Sequence, residues 1–214
     1  MFLILFLLKK KYKEFFFSLF LSFLLVIGGF FVLKGGFIHN LTTLIISLKM
    51  TEQYYIYSPN GGIVGMSSLF MGLKSLLCFG YNIISTHLLA SICKYLVVLI
   101  SGITIFAVWK EKIFWKQIML LTLHMLIIPF IIADYKLIFL FVPLWFFVNA
   151  KEKSKFDFGY SILFGLLLIP KKYLPLGLFS HIPFSTVINP FIMLLFMGVI
   201  IYEQFYLERK KKNV

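Results

Sequence analysis

Acidic side chains are scarce in this chain, eight in 214 residues, so any that stands apart from the basic clusters is a candidate for chemistry. Two do so, Asp134 and Glu52. Asp134, Tyr135 and Lys136 form a polar tripeptide between two apolar runs, residues 117–133 and 137–150. Lys171 and Lys172 follow in IPKKYLPL, with Tyr173 and His181 close behind. A carboxylate can take a proton from an attacking hydroxyl, and ammonium groups can hold a phosphate. A phosphate-bearing ligand therefore suits these residues. Asp134 is the first candidate for a catalytic base and Glu52 the second. Tyr135, Lys136, Lys171, Lys172 and His181 are the candidate ligand-binding groups. The same residues also read as a solvated turn, with Asp134 capping a helix and the lysines reaching out to lipid headgroups.

Other chemistry finds little support. The chain has no phosphate-cradling glycine loop, no dinucleotide fingerprint, no HExxH, no CxxC and no GxSxG. The residues give no metal-ligand spacing. His124 lies alone in an apolar run, where a histidine serves as a polar contact between helices. His39 and His87 fall near the ends of apolar segments. Cys78 and Cys93 are isolated and read as small apolar residues.

The elements that must position these residues are membrane helices. The chain is 61% hydrophobic and only 14% charged, against about half and about a quarter in a soluble domain. Runs such as FLLVIGGFFVL do not alternate, which argues against a barrel. The fold class expected is all-α, a polytopic helical membrane protein forming a single membrane domain over residues 1–214. Six spans are expected, at about 15–33, 91–109, 117–133, 137–150, 158–169 and 190–206. The net charge of +13 is concentrated in four clusters, KKKYK, KEKIFWK, KEKSK and RKKK, which hold 14 of the 21 Lys and Arg residues. Clusters beside apolar runs follow the positive-inside rule rather than a nucleic-acid surface, so no nucleic-acid partner is expected. With six spans all four clusters fall on one side, which puts both termini in the cytoplasm. Residues 34–90 then form a long outer segment. In it, 41–50 and 68–79 are expected as amphipathic helices lying along the membrane surface. Residues 170–189 are expected as an irregular, partly embedded loop. The apolar stretch 1–8 is too short to span and reads as the tail of a preceding helix, which suggests the C-terminal part of a longer protein.

Four stretches carry a resemblance: KKKYKEFFFSLFLSFLLV, GGFIHNL, SPNGGIVGMSSLFMGL and ADYKLIFLFVPL, supported by IPKKYLPL and TVINP. Their order resembles the C-terminal half of bacterial membrane glycosyltransferases of the C superfamily, family 87 type. The resemblance implies transfer of a sugar from a polyprenyl-phosphate donor on the outer face of the inner membrane, in cell-envelope glycan assembly. Partners would be the lipid bilayer and the polyprenyl-phosphate-linked sugar. Such enzymes carry their catalytic base in an early outer loop, and no residue here matches it. In the turn where family members often show Asn before a small polar residue, this chain has Ser67 and Ser68, with Asn60 upstream. Those three join the ligand-binding candidates. Cations or a metal must stabilise the leaving phosphate; a divalent cation is the one cofactor to consider. Two other readings stand beside this one: a non-enzymatic transporter or assembly subunit for lipid-linked glycans, and an inactive fragment.

Overall fold

The computed structural model describes residues 2–58, 66–80, 82–151, 154–171, 175–176 and 179–212, with backbone alone at 79–80, 175–176, 179–181 and 207–212. The chain divides into two compact units, Met1–Tyr54 and Tyr55–Val214.

The first unit holds α1 (Leu3–Leu8), α2 (Tyr12–Val32) and α3 (Gly36–Glu52). Its turn explains GGFIHNL. Gly35 and Gly36 both take positive φ, +113° and +79°, which a side chain resists. Asn40 on α3 then reaches back, its Nδ2 donating to the carbonyls of Phe30 and Leu33 at 2.9 and 3.0 Å. These carbonyls lie in the last turn of α2, where the helix has no donors of its own. Phe37 packs on Phe30 and Phe31, with ring centroids 5.8 and 5.2 Å apart. No residue of these three helices is buried within the structure.

The second unit is built around α6 (Phe114–Ile127), in which every residue except Phe114 and Met125 is buried. A helix covered on all sides is a core helix. Against it lie α5 (Thr86–Lys110), α7 (Phe141–Val148) and α9 (Phe184–Lys212), and α8 (Asp157–Leu168) packs on α9. An aromatic seam ties four of these helices together. Trp115 of α6 meets Phe147 of α7 and Tyr160 of α8 edge-on, at 4.9 and 5.1 Å. Phe196 of α9 stacks on Tyr160 at 5.6 Å and meets Phe164 edge-on at 4.9 Å. The short α4 (Leu69–Leu73), extended by a π-helical stretch Lys74–Gly80, packs against the start of α9. Gly72 makes that approach possible. A Cβ there would meet the Thr186 carbonyl oxygen at 3.1 Å and Pro190 Cγ at 3.2 Å.

Three helices are long and apolar enough to cross a membrane: Tyr12–Val32, Thr86–Lys110 and Phe184–Tyr206. This makes a lipid bilayer the environment the chain suits. The other expected spans correspond to shorter helices. α6 has 14 residues and α8 has 12. The run 137–150 divides between a 3-10 helix, Asp134–Leu140, and the eight-residue α7. The α6 helix stops short of 133 as the chain meets Pro129, before which helical backbone is disfavoured.

Two local departures concern the outer segments. Residues 170–189 are not wholly irregular. Pro175–Leu176 (β1) and Phe179–Pro183 (β2) pair as an antiparallel hairpin. The last helix also begins at Phe184 rather than 190, with Pro190 inside it. Proline usually marks the first turn of a helix, which places the expected start too late. Here the second turn tolerates it, and the ring packs against Gly72. The segments 41–50 and 68–79 are helical as expected, within α3 and across α4 and its π-helical extension.

Candidate functional site

Asp134 stands at the N-terminus of the 3-10 helix, just after an extended stretch that is pinned to the turn before α4. Met66 and Ala133 form an antiparallel bridge, and Ser67 N–H donates to the Ile132 carbonyl at 2.8 Å. This pairing presents Ser67 to Asp134, and the Ser67 hydroxyl donates to Asp134 Oδ1. From the first turn of α9, Ser185 Oγ donates to Oδ2 at 3.2 Å. One turn further on, Asn189 Nδ2 donates to Ser67 Oγ at 3.4 Å. The order of the chain is dictated by chemistry: the Ser67 proton is spent on the carboxylate, so its oxygen can only accept from the amide. Ser67, Ser185 and Asn189 are all buried. The carboxylate is therefore oriented from both sides.

Asp134 opens onto a cavity of about 330 Å³. Lys171, Ser185 and Asn189 contribute polar wall, as does Tyr135 at the rim. The apolar wall comes from Ile138, Phe141, Leu167 and Leu168, among others. Four elements thus converge: the 3-10 helix, the start of α7, the end of α8 with the residues after it, and the start of α9. Lys171 is buried, 7% exposed, and its Nζ donates to the Ile169 carbonyl at 3.0 Å. Burial holds its pKa below the ordinary lysine value, and the Asp134 charge pulls in the opposite direction without prevailing.

The sequence candidates are distributed as follows. Asp134, Tyr135 and Lys171 are brought to one cavity. Tyr135 is largely exposed at its edge. Lys136 is half-buried and does not line it. Ser67 reaches Asp134, whereas Ser68 turns away. Ser68 donates to the Phe130 carbonyl at 2.6 Å and caps α4 by accepting from Met71 N–H at 3.2 Å. Glu52 is an exposed residue at the end of α3, in the first unit. Asn60, Lys172 and Tyr173 lie outside the described residues, and so does the side chain of His181. Among the described residues no group of His, Cys, Asp and Glu is placed to hold a metal ion.

Ser185 and Asn189 are site residues beyond the candidates that the acidic and basic residues single out. The available signal was the polar set Ser185, Thr186 and Asn189 at one-turn spacing in FSTVINP. A second polar cluster is also hidden, since Glu203 and Glu111 lie in or near the basic clusters of the sequence. Glu203 on α9 is buried with Lys116 of α6, whose Nζ lies 2.6 Å from its carboxylate. It also accepts from Ser154 and from the Tyr160 hydroxyl. Glu111 folds inward, accepting from the backbone N–H groups of Lys112 and Ile113 at 2.9 Å each and from Gln204 Nε2 at 2.7 Å. The signal for this cluster is the placement of Lys116 and Glu203 inside otherwise apolar helical runs, where an ionisable group demands a partner. Lys74 is likewise fully buried, donating to the Tyr55 carbonyl at 2.7 Å. Cys78 is half-buried and Cys93 buried, and both are free thiols.

No protein-family model, no curated protein and no solved structure matches this chain.

Proposed function

We propose that the Asp134 cavity takes the head of a phosphate-linked lipid, and that the chain is a glycosyltransferase-like membrane protein, the C-terminal part of an enzyme using a polyprenyl-phosphate sugar. The observation that carries this reading is the composition of one cavity. It has a carboxylate held by two hydroxyls, a buried lysine and a wall of Ile138, Phe141, Leu167 and Leu168. An amphipathic ligand with an anionic head and an apolar tail satisfies all three. A buried ammonium favours added negative charge, and the apolar wall favours a hydrocarbon chain.

In the transfer, Asp134 Oδ takes the proton of the acceptor hydroxyl as its oxygen bonds to the anomeric carbon. The bond from that carbon to the phosphate oxygen breaks, and the phosphate leaves with the electron pair. Lys171 stabilises the charge on the departing phosphate. The topology that goes with this reading has six crossings and both termini in the cytoplasm of a bacterial cell, with the Asp134 cavity at the outer face. The helix α6 rises only roughly 21 Å at about 1.5 Å per residue, so its crossing is completed by the residues up to Ala133.

The experiment is binding of polyprenyl phosphate to the purified protein, followed by sugar transfer from a polyprenyl-phosphate donor. Lys171→Ala should weaken binding, and Asp134→Asn should abolish transfer while leaving binding largely intact. Binding unaffected by Lys171→Ala would overturn the ligand assignment. Binding that persists with no transfer by the unmodified chain would leave a lipid-binding subunit. For the topology, Lys172→Cys should react with an impermeant thiol reagent from outside and Lys153→Cys should not. Equal labelling at both positions would refute six crossings.

A further inference from the structure

The helical hairpin of α6 and α7 carries a second cavity at the end opposite Asp134. It measures about 340 Å³ and is lined by Lys112, Ile113, Phe114, Trp115, Phe146, Ala150 and Lys151. Lys112 precedes α6 and Lys151 follows α7, so the two helix ends bring together cations 39 positions apart in the chain. Both lysines are exposed at the rim, while Trp115 is buried as the floor, 4% exposed. Phe114 and Phe146 meet edge-on at 5.2 Å and stay about 40% exposed, at 42% and 38%. They form an apolar flank leading away from the rim.

Glu111, the residue before Lys112, is engaged away from this rim. Glu111 is buried, 8% exposed, and its two oxygens are engaged by Lys112 N–H, Ile113 N–H and Gln204 Nε2. Glu111 thus tightens the turn before α6 and points its charge into the helix bundle rather than toward the cavity. Lysines flanking a pocket between helix ends, over an aromatic floor, are what the headgroup of an anionic lipid meets at a membrane surface.

We propose that this cavity binds an anionic glycerophospholipid, its phosphodiester between Lys112 and Lys151 and an acyl chain along Phe114 and Phe146. The occupant is assigned by charge complementarity joined to the exposed aromatic flank, since a free anion would leave that flank unused. The site does not depend on the function proposed for the Asp134 cavity. It would hold the α6–α7 hairpin at one leaflet by a bound lipid.

The test is native mass spectrometry of the detergent-purified full chain, titrated with phosphatidylglycerol, with phosphatidylcholine and with inorganic phosphate. Phosphatidylglycerol should bind with one preferred stoichiometric site that phosphatidylcholine does not fill and inorganic phosphate does not displace. Replacing both lysines (Lys112→Gln with Lys151→Gln) should weaken that site roughly 30-fold, from about a fivefold factor per lysine at a membrane surface. Arginine at both positions should restore it, which separates charge from folding. Lys155→Gln, an exposed cation that does not line the cavity, should leave it unchanged. Equal loss in Lys155→Gln, equal binding of phosphatidylcholine, displacement by inorganic phosphate, or no loss in the double variant would each overturn the proposal.

Discussion

Replacing Glu203 by Gln should destabilise the second unit more than any other single change of one polar side chain. The Lys116 ammonium is 2% exposed and has the Glu203 carboxylate at 2.6 Å. Removing the charge from one partner of such a pair typically costs about 3–5 kcal/mol, because the other charge stays buried. Around Lys116 also stand the faces of Trp115 and Tyr160, with centroids 5.6 and 5.5 Å away. Contacts of that kind return on the order of 1–2 kcal/mol when desolvated. The reverse change, Lys116→Met, leaves the carboxylate with two hydroxyl donors, Ser154 and Tyr160. A carboxylate so solvated is tolerated better than a bare ammonium, so Lys116→Met should cost less, toward the lower end of about 3–5 kcal/mol. The double variant, Lys116→Met with Glu203→Gln, removes both charges and keeps an amide oxygen for the hydroxyls. It should lie within about 1.5 kcal/mol of the unmodified protein, giving a large coupling energy between the sites. Equilibrium unfolding in mixed dodecyl sulfate micelles, followed by far-ultraviolet circular dichroism, measures all three. A cost below about 1 kcal/mol for Glu203→Gln, or a larger cost for Lys116→Met than for Glu203→Gln, would refute this account of the cluster.

Gly72→Ala should destabilise by about 1–3 kcal/mol, the usual range for overpacking, because its Cβ would sit 3.1 Å from a backbone oxygen of α9; a neutral result in the same unfolding assay would mean that α4 and α9 can separate freely. Gly35→Ala should loosen the α2–α3 turn, since φ is +113° and the new Cβ would fall 2.6 Å from the His39 ring; faster hydrogen exchange in the amides around 33–40 would register it, and unchanged exchange would count against the strain. Lys171 supplies a pH dependence. Its folded pKa is depressed by burial, so the charged form costs stability at every pH below that value, and the cost is relieved as pH rises from the folded pKa to the ordinary one. A bound phosphate needs the charged form, so polyprenyl-phosphate affinity should fall as pH rises through the lowered lysine pKa, and Lys171→Arg should remove that fall. An identical decline in the arginine variant would assign the titration to another group.

The bilayer as the chain's environment was legible in the residues alone, because burial in lipid requires long uninterrupted apolar helices and no side-chain partner need be known to see them. Tyr12–Val32 and Thr86–Lys110 were recognisable to within a few residues for that reason. So was the scarcity of acids that singled out Asp134, and the adjacency of loops that brought Lys171 toward it. What the apolar pattern could not decide was which polar groups meet. Ser67 reaches Asp134 across 67 positions and Ser185 across 51, through a backbone bridge at Met66 and Ala133 that has no local signature. The pairing of Lys116 with Glu203 spans 87 positions. Each of these residues shows locally that it is polar, but not which distant group it meets. The packing of α6 between α5, α7 and α9 removes the water, and a polar group denied water must take whichever partner the neighbouring helix presents.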